Sequence, residues 1–254
     1  SDPAADEDDF IPSIYDPYTL VEDRRYGLPF DGDTHVLFYN TEILQRNGFD
    51  APPATWDEYV EQSRVITENE GADGVYGNVI FGQKSPLILG ASFANRLAGF
   101  GGEFVDDAGA PVINSPEAVA AAQSLADALE SAYPTPTETA FGEGNSAWYA
   151  GNAAFIENWT DLGVGSQINP DSTVADGWGV TLLPVGGENT QARASLVATS
   201  GLVLLPATGR RCNRPSPKRD RPMTWLASSR WPSRLRASAA ARRWRNGARR
   251  SAAC

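Results

Sequence analysis

Strand-like and helix-like segments alternate along this 254-residue chain, and the alternation predicts an α/β fold. Short apolar runs mark the strands, amphipathic stretches with start signals mark the helices, and glycine and proline separate them. Hydrophobic residues make up 41% and charged residues 21%, which is typical of a globular protein rather than a disordered one. No apolar run reaches the roughly 18–20 residues of a membrane-spanning helix.

The first predicted strand is the apolar run Val36–Tyr39. A short helix is predicted to begin at Thr41 and to end at the Asn47-Gly48 pair. A capping box formed by Thr55 and Glu58 predicts the start of the next helix. One apolar stripe of that helix is predicted to face the core: Trp56, Tyr59, Val60, Ser63 and Ile66.

The remaining elements are predicted from similar local signals. Ser115, with Pro116 and Glu117 directly after it, starts the clearest helix of the chain, an alanine-rich segment. Helices are also predicted over residues 86–97 and 141–149. Strands are predicted over residues 74–81, 103–105, 111–113, 153–156, 178–183 and 196–205, with a turn at 106–109.

The charge of the chain changes abruptly after about residue 209. Residues 1–209 hold 7 basic and 31 acidic residues, a net charge of −24, whereas residues 210–254 hold 14 basic residues and one acid. One interpretation is a basic tail that binds nucleic acid or an anionic surface. The other interpretation is a shifted reading frame in a GC-rich gene. The strong acidity of residues 1–209 favours it, because these residues would compete with nucleic acid for a basic tail. We therefore expect an aberrant, disordered tail and no nucleic-acid partner.

The composition of the acidic residues 1–209 carries further information. It lacks cysteine, so it offers neither a disulfide framework nor a thiolate metal site, and its one lysine is Lys84. Many acids with almost no lysine are typical of a salt-adapted surface, and a strongly acidic mesophilic protein is the alternative. The chain begins without an initiator methionine or a signal peptide, so we expect a fragment whose N-terminal part is absent.

The sequence predicts no catalytic, metal or cofactor site. His35 is the single histidine, and no P-loop, dinucleotide-binding or serine-hydrolase motif is present. Asp31 and Asp33 stand two residues apart before the first strand. They could act as the acid pair of a carbohydrate hydrolase, cap a turn that faces water, or accept hydrogen bonds from a polyhydroxyl ligand.

Five stretches in order resemble the extracellular solute-binding proteins of ABC sugar importers, the family 1 group that includes maltose-binding protein. They are YGLPFDGDTHVLFYNTEILQRNGFDAPPATWDEYVEQSRVIT, RLAGFGGEFVDDAGAPVINSPEAVAAAQSLADAL, FGEGNSAWYAGNAAFIENWTDLG, WGVTLLPVGG and ASLVATSGLVLL. The resemblance implies the type II periplasmic-binding fold, with two α/β lobes that close around a ligand at a hinge. It implies that residues 1–35 are a remnant of lobe 1 with the first hinge crossing, 36–195 are lobe 2, 196–209 are the return hinge strand, and 210–254 are the aberrant tail.

The resemblance also implies a sugar site near the hinge. Asp33 lies where maltose-type proteins carry a ligand-binding acid, and Asp31 is the second choice. Trp159 matches the family's tryptophan-bearing loop after a strand, with core packing as the alternative to stacking on sugar, and Asn158 and Asp161 are polar candidates from the same loop. Ser92 and Phe93 occupy another ligand-contacting region, which lacks the acid–aromatic pair of the maltose-type proteins. For His35, packing within the protein is favoured over ligand contact.

The function that the resemblance implies is capture of a sugar or polyol outside the cell and its delivery to the membrane subunits of an ABC permease. The protein is expected to be a non-catalytic monomer without a cofactor. It is expected to be extracellular or periplasmic and lipid-anchored in its full-length form. Hinge closure, in which the ligand shifts the open and closed populations, is the implied mechanism.

Overall fold

A computed structural model of the chain describes residues 10–29, 32–191, 197–198 and 201–203. All of them lie in the first of two compact units, Ser1–Leu204. The second unit, Leu205–Cys254, contains the basic tail and lies outside the described residues. The mixture of helices with a central sheet confirms the predicted α/β class.

The N-terminal part forms a small subassembly that the sequence analysis did not predict. It comprises helix α1, Pro12–Thr19, a hairpin of β1, Leu20–Val21, and β2, Arg24–Arg25, and then β3, Gly27–Pro29. The hairpin turns at Glu22 and Asp23, which both have positive φ, as a tight two-residue turn requires. Arg25 holds the subassembly together, since it pairs with Asp16 at 2.8 Å and lies over the ring of Tyr15.

The central sheet is built around one long strand. The remaining strands are β4, Asp33–Asn40; β5, Tyr76–Val79; β6, Ala153–Trp159; β7, Trp178–Thr181; β8, Val197–Ala198; and β9, Gly201–Val203. The sheet order is β5-β6-β4-β7, with β8 also paired to β4, and β3 pairs with β9 in a separate two-stranded sheet. Strand β6 runs antiparallel to β4 and parallel to β5.

Six further helices pack on this sheet or on one another. They are α2, Thr41–Arg46; α3, Trp56–Glu70; α4, Leu89–Gly99; α5, Pro116–Leu129; α6, Phe141–Tyr149; and α7, Leu162–Ile168. Alternation along β4 divides the core, because Leu37 packs with Trp56 and Tyr59, whereas Phe38 packs with Trp148. Among the described residues, no helix combines the length and apolarity needed to cross a bilayer.

The predicted caps of α3 and α5 are confirmed, whereas the helix predicted over residues 86–97 is α4, which begins at Leu89 without a side-chain cap. The Thr55 hydroxyl accepts from the backbone N–H of Glu58, whose carboxylate accepts in return from the N–H of Thr55. Four residues of the predicted stripe on α3 are buried and Val60 is half-buried. Ser115 caps α5 as predicted. The cap of α2, however, is Asn40, whose side chain accepts from the N–H groups of Glu42 and Ile43, so Thr41 is already inside the helix.

Two predicted strand regions are wrong in detail. Residues 103–105 and 111–113 form only an isolated bridge between Val105 and Pro111, because the Asp106 carboxylate accepts from the N–H groups of Ala108 and Ala110 and shapes the segment as a tight turn. Within the predicted strand 196–205, the described residues form two short strands, β8 and β9, that pair with different partners, β4 and β3. The predicted lobe boundaries stay a prediction.

Candidate functional site

The start of β4 and the end of β6 meet at one edge of the sheet. Their antiparallel register places His35 directly opposite Trp159 and Leu37 opposite Glu157. Because side chains alternate along a strand, Asp33, His35, Glu157 and Trp159 share one face. The sequence analysis placed Trp159 in a loop after a shorter strand, but it is the last residue of β6 itself.

The Asp33 carboxylate ties this strand edge together. Its Oδ1 atom accepts from the backbone N–H of Thr34 at 2.9 Å, from the N–H of Thr160 at 2.8 Å and from the Thr160 hydroxyl. These bonds fix the half-buried carboxylate beside the residue that follows Trp159. Oδ2 makes no hydrogen bond to another described residue.

Trp159 and His35 form a close aromatic pair across the two strands. Their ring centroids lie 4.0 Å apart with an angle of 71° between the ring planes, an edge-to-face arrangement. His35 is buried and Trp159 is half-buried. Packing within the protein, the favoured alternative for His35, is therefore confirmed, and Trp159 keeps part of its surface outside the core.

A buried polar chain extends from His35 into the helical layer. The Asn95 side-chain nitrogen lies 3.0 Å from His35 Nδ1 and 2.9 Å from Glu157 Oε2. Glu157 in turn pairs with Arg96, with an Nη1–Oε1 distance of 2.8 Å. The Arg96 guanidinium is fully buried and lies 4.3 Å above the ring of Trp56. We call Arg96, Glu157, Asn95 and His35 the buried relay.

Electrostatics keep the histidine of the relay neutral near pH 7. Burial lowers the pKa of His35, and the nearby Glu157 carboxylate opposes this shift without overcoming it. Burial likewise raises the pKa of Tyr59, whose ring lies near Arg96. The relay therefore contains one ion pair and a neutral imidazole.

Asn158 and Asp161, the polar candidates on either side of Trp159, have different surroundings from Trp159. The Asn158 side chain alternates to the opposite face, where it donates to Asn145 Oδ1 at 2.7 Å and accepts from the Trp159 N–H at 2.8 Å. It is 2% exposed, so its amide serves internal structure. Asp161 is exposed and directly precedes α7.

Ser92 and Phe93 make contacts inside the helical layer. The Ser92 hydroxyl is buried and donates to the carbonyl of Phe81 at 3.0 Å. Phe93 is half-buried and meets the ring of Phe104, with centroids 6.1 Å apart. Asp31, the second choice for the acid, lies outside the described residues. The structure thus brings together Asp33 and Trp159, while the ligand role of every candidate stays a prediction.

The sequence analysis missed Asn95, Arg96 and Glu157. A signal was present, because Arg96 stands in a predicted amphipathic helix and Glu157 directly follows the apolar run of a predicted strand. Charged side chains are almost never fully buried unless they are paired, so an acid and a base in such segments indicate a buried pair. Only the register of β4 and β6 shows that the pair lies beneath Trp159.

The described residues hold no other cluster of obvious ligand chemistry. They contain no group of three His, Cys, Asp or Glu side chains placed to hold a metal ion. Two adjoining clefts of about 390 and 420 Å³ lie between α3 and α5, on the outer helical layer. Val60 and Asp127 line both, and neither Asp33 nor Trp159 lines either one.

The profile of the family described as bacterial extracellular solute-binding protein matches residues 1–209 of the chain. The chain belongs to this family. The match confirms the resemblance drawn from the five sequence stretches, and members of the family are binding proteins of ABC transport systems. The family is extracellular, which fits the predicted location.

Two curated proteins are similar to this chain in sequence. A "Probable ABC transporter-binding protein" of Deinococcus radiodurans is 32% identical over 188 residues, 72% of this chain and 44% of the relative. An arabinooligosaccharide-binding protein of Halalkalibacterium halodurans is 27% identical over 201 residues, 72% of this chain and 42% of the relative. The chain thus spans less than half the length of these relatives.

Solved structures show the same fold. A solute-binding protein of Agrobacterium radiobacter K84 in complex with ribitol matches with a TM-score of 0.70 and 25% identity, over 77% of this chain and 48% of that protein. The maltose-bound MalE3 of T. maritima matches with a TM-score of 0.62 and 32% identity, over 70% of this chain and 44% of that protein. These similarities confirm the predicted solute-binding fold class.

Proposed function

We propose that this chain is part of the substrate-binding component of an ABC importer that captures a sugar or polyol outside the cell and delivers it to the membrane permease. One observation carries the proposal: the Asp33 carboxylate is fixed by Thr160 at the sheet edge where the half-buried Trp159 ends β6. A charged acceptor and an aromatic ring therefore stand side by side. Family neighbours bound to ribitol, D-mannitol and α-D-tagatose support a polyhydroxyl ligand.

The chemistry of such a ligand fits these two side chains. A sugar or polyol carries many hydroxyl groups, and each one left unpaired on burial costs about 1–3 kcal/mol. Asp33 Oδ2 offers a charge-assisted acceptor, which is roughly twice as strong as a neutral one. The indole of Trp159 offers an apolar face for the C–H groups between the hydroxyls. Asp161 at the start of α7 is a further polar candidate on this edge.

The strand pairs next to the site support a hinge-closure mechanism. The chain leaves β3 and enters β4, and the returning strands β8 and β9 pair with these same two elements. In the proposed protein this double crossing joins residues 36–195, as one lobe, to a second lobe. A ligand that contacts both lobes only in the closed form shifts the population toward closure.

We further propose a monomeric, non-catalytic protein that acts outside the cell and is lipid-anchored in its full-length form. The alternative hypothesis is a hydrolase that uses Asp31 and Asp33. Such an enzyme requires two carboxyl groups on opposite sides of a glycosidic bond. Asp33 Oδ1 is instead occupied by Thr34 and Thr160. Incubation with maltose and arabino-oligosaccharides should release no new reducing ends, and turnover would establish the hydrolase in place of the binding protein.

A thermal-shift screen tests the proposed ligand class. We expect at least one of ribitol, mannitol, tagatose or maltose to raise the Tm of the full chain in a saturable way, since a ligand that binds only the folded state stabilises it. Asp33→Asn should reduce that shift. Asp107→Asn, which removes an exposed acid in the turn after Phe104, is the matched control and should keep it. No shift with any compound, or equal shifts in both variants, would contradict the proposal.

A further inference from the structure

We propose that His35 is a positioning residue for the ligand-stacking ring of Trp159, and that the buried relay fixes His35 for this task. The inference rests on the proposed function, because that proposal gives Trp159 its role as a ligand-stacking ring. The contacts of the buried relay exist without any ligand. The residues involved come from β4, α4 and β6, three elements distant in sequence.

The orientation of the Asn95 amide follows from its neighbours. Its side-chain nitrogen lies 2.9 Å from Glu157 Oε2, and an ionised carboxylate only accepts hydrogen bonds. A flipped amide would set its oxygen against that carboxylate, so the nitrogen must face Glu157. The nitrogen carries two hydrogens, and the second points to His35 Nδ1 at 3.0 Å.

This orientation fixes the tautomer of His35. Because Nδ1 accepts from Asn95, the proton of the neutral imidazole resides on Nε2. Nε2 is buried and has no hydrogen-bond partner among the described residues. The ring that carries this N–H lies edge to face with the Trp159 indole, with the ring centroids 4.0 Å apart. The relay thus fixes the imidazole that contacts the indole.

The other end of the relay is anchored in the core. Arg96 pairs with Glu157 at 2.8 Å, and its guanidinium lies over Trp56, which is fully buried. Arg96 also donates to the carbonyl of Ser92 at 3.2 Å, which ties it to α4. The orientation of Trp159 is therefore set before a ligand arrives, and preorganisation of this kind reduces the entropy lost on binding.

Nuclear magnetic resonance of the ligand-free full chain tests this inference. His35 is the only histidine, so its imidazole signals need no assignment by mutation. With ¹⁵N-labelled histidine at neutral pH, we expect a pyrrole-type Nε2 and a pyridine-type Nδ1. The ring C–H protons should show a ring-current shift from Trp159, whose ring lies 4.0 Å away between centroids.

Three variants separate positioning from general packing. Trp159→Leu should remove the ring-current shift and leave the tautomer unchanged. Trp178→Phe, which alters a tryptophan packed on Phe38 in the other core cluster, should leave both features intact. Asn95→Leu should abolish the preference for the Nε2–H tautomer, since it removes the donor to Nδ1.

A proton on Nδ1 in the unmodified chain would overturn the inference, as would a ring-current shift that persists in Trp159→Leu. If Trp159→Leu does not fold, cross-relaxation between the His35 and Trp159 ring protons in the unmodified chain decides the contact, and its absence would overturn the inference. All these measurements omit ligand. A failure to bind sugars would therefore contradict the proposed function without affecting this result.

Discussion

At the scale of single residues, the buried ion pair of the relay has the largest expected energetic effect. Arg96 and Glu157 are 0% and 4% exposed, so neither charge can turn to water if its partner is lost. Removal of one partner of a buried pair typically costs about 3–5 kcal/mol, whereas replacement of both by apolar residues costs far less. Each charge of the pair therefore depends strongly on the other, whereas the pair as a whole contributes little to the free energy of unfolding.

The first prediction follows from this asymmetry. Arg96→Met should lower the free energy of unfolding by about 3–5 kcal/mol, and the double variant Arg96→Met/Glu157→Leu should recover part of that loss. Urea denaturation measures both. Arg64→Met, which removes an exposed arginine paired with Glu61 and Glu68, serves as the control and should change stability little. A double variant less stable than Arg96→Met would contradict the account.

The second prediction concerns pH. Burial lowers the pKa of His35 in the folded protein, so below the unfolded value of about 6.5 the unfolded chain binds a proton that the folded chain resists. Stability is therefore full above that pH and falls as the pH drops through it. Glu157 and Asp33 raise the pKa only in part, and Arg96 is the cation that faces the same cluster.

Urea midpoints between pH 5 and pH 7.5 check this expectation. His35→Gln should flatten the slope between pH 6.5 and pH 5.5, because no other histidine titrates there. An unchanged slope in the variant would show that His35 is not the group responsible. Stability that rises on acidification would contradict the lowered pKa directly.

At the scale of elements, the packing of α4 against α3 depends on one glycine. A Cβ atom built on Gly99 would lie 2.2 Å from Nε1 of Trp56 and 2.7 Å from the carbonyl oxygen of Pro184, so only glycine fits. Near the start of the same helix, Gly90 has open space around the corresponding position. The two glycines are thus a matched pair on one element.

Alanine at these two positions gives the third prediction. Gly99→Ala should lower the free energy of unfolding by about 1–3 kcal/mol through overpacking. Gly90→Ala should be neutral or stabilise by at most about 1 kcal/mol, since alanine is the better helix former. Thermal or urea unfolding compares them. Equal effects at the two positions would contradict the close packing of α3, α4 and residue 184.

The elements also show what the sequence could predict. Helices α3 and α5 were predicted because their caps are local signals, and β4 was predicted because its centre is a buried apolar run. The relay was not predictable, because Asn95, Glu157 and His35 are brought together only by strand register and helix placement. The hairpin around Glu22 was missed because its strands have two residues each and show no alternation.

At the scale of the whole molecule, the charge of residues 1–209 should govern the response to salt. A net charge of −24 on this part repels itself, and added salt screens that repulsion. The fourth prediction is that Tm rises as sodium chloride increases from low to molar concentration. The rise should shrink as the pH falls from 7 toward about 4, where protonation of the Asp and Glu side chains removes their negative charge. A Tm that falls with salt at pH 7 would contradict a salt-adapted surface.

The central claim, that the Asp33–Trp159 edge binds a sugar or polyol, is tested most directly by calorimetric titration of the full chain with whichever screened compound stabilises it. We expect Trp159→Leu to weaken the affinity about tenfold, which corresponds to about 1.4 kcal/mol and to the loss of one aromatic stacking contact. Trp178→Phe should bind like the unmodified chain. Equal affinity in the unmodified chain and Trp159→Leu would place the ligand elsewhere and contradict the account.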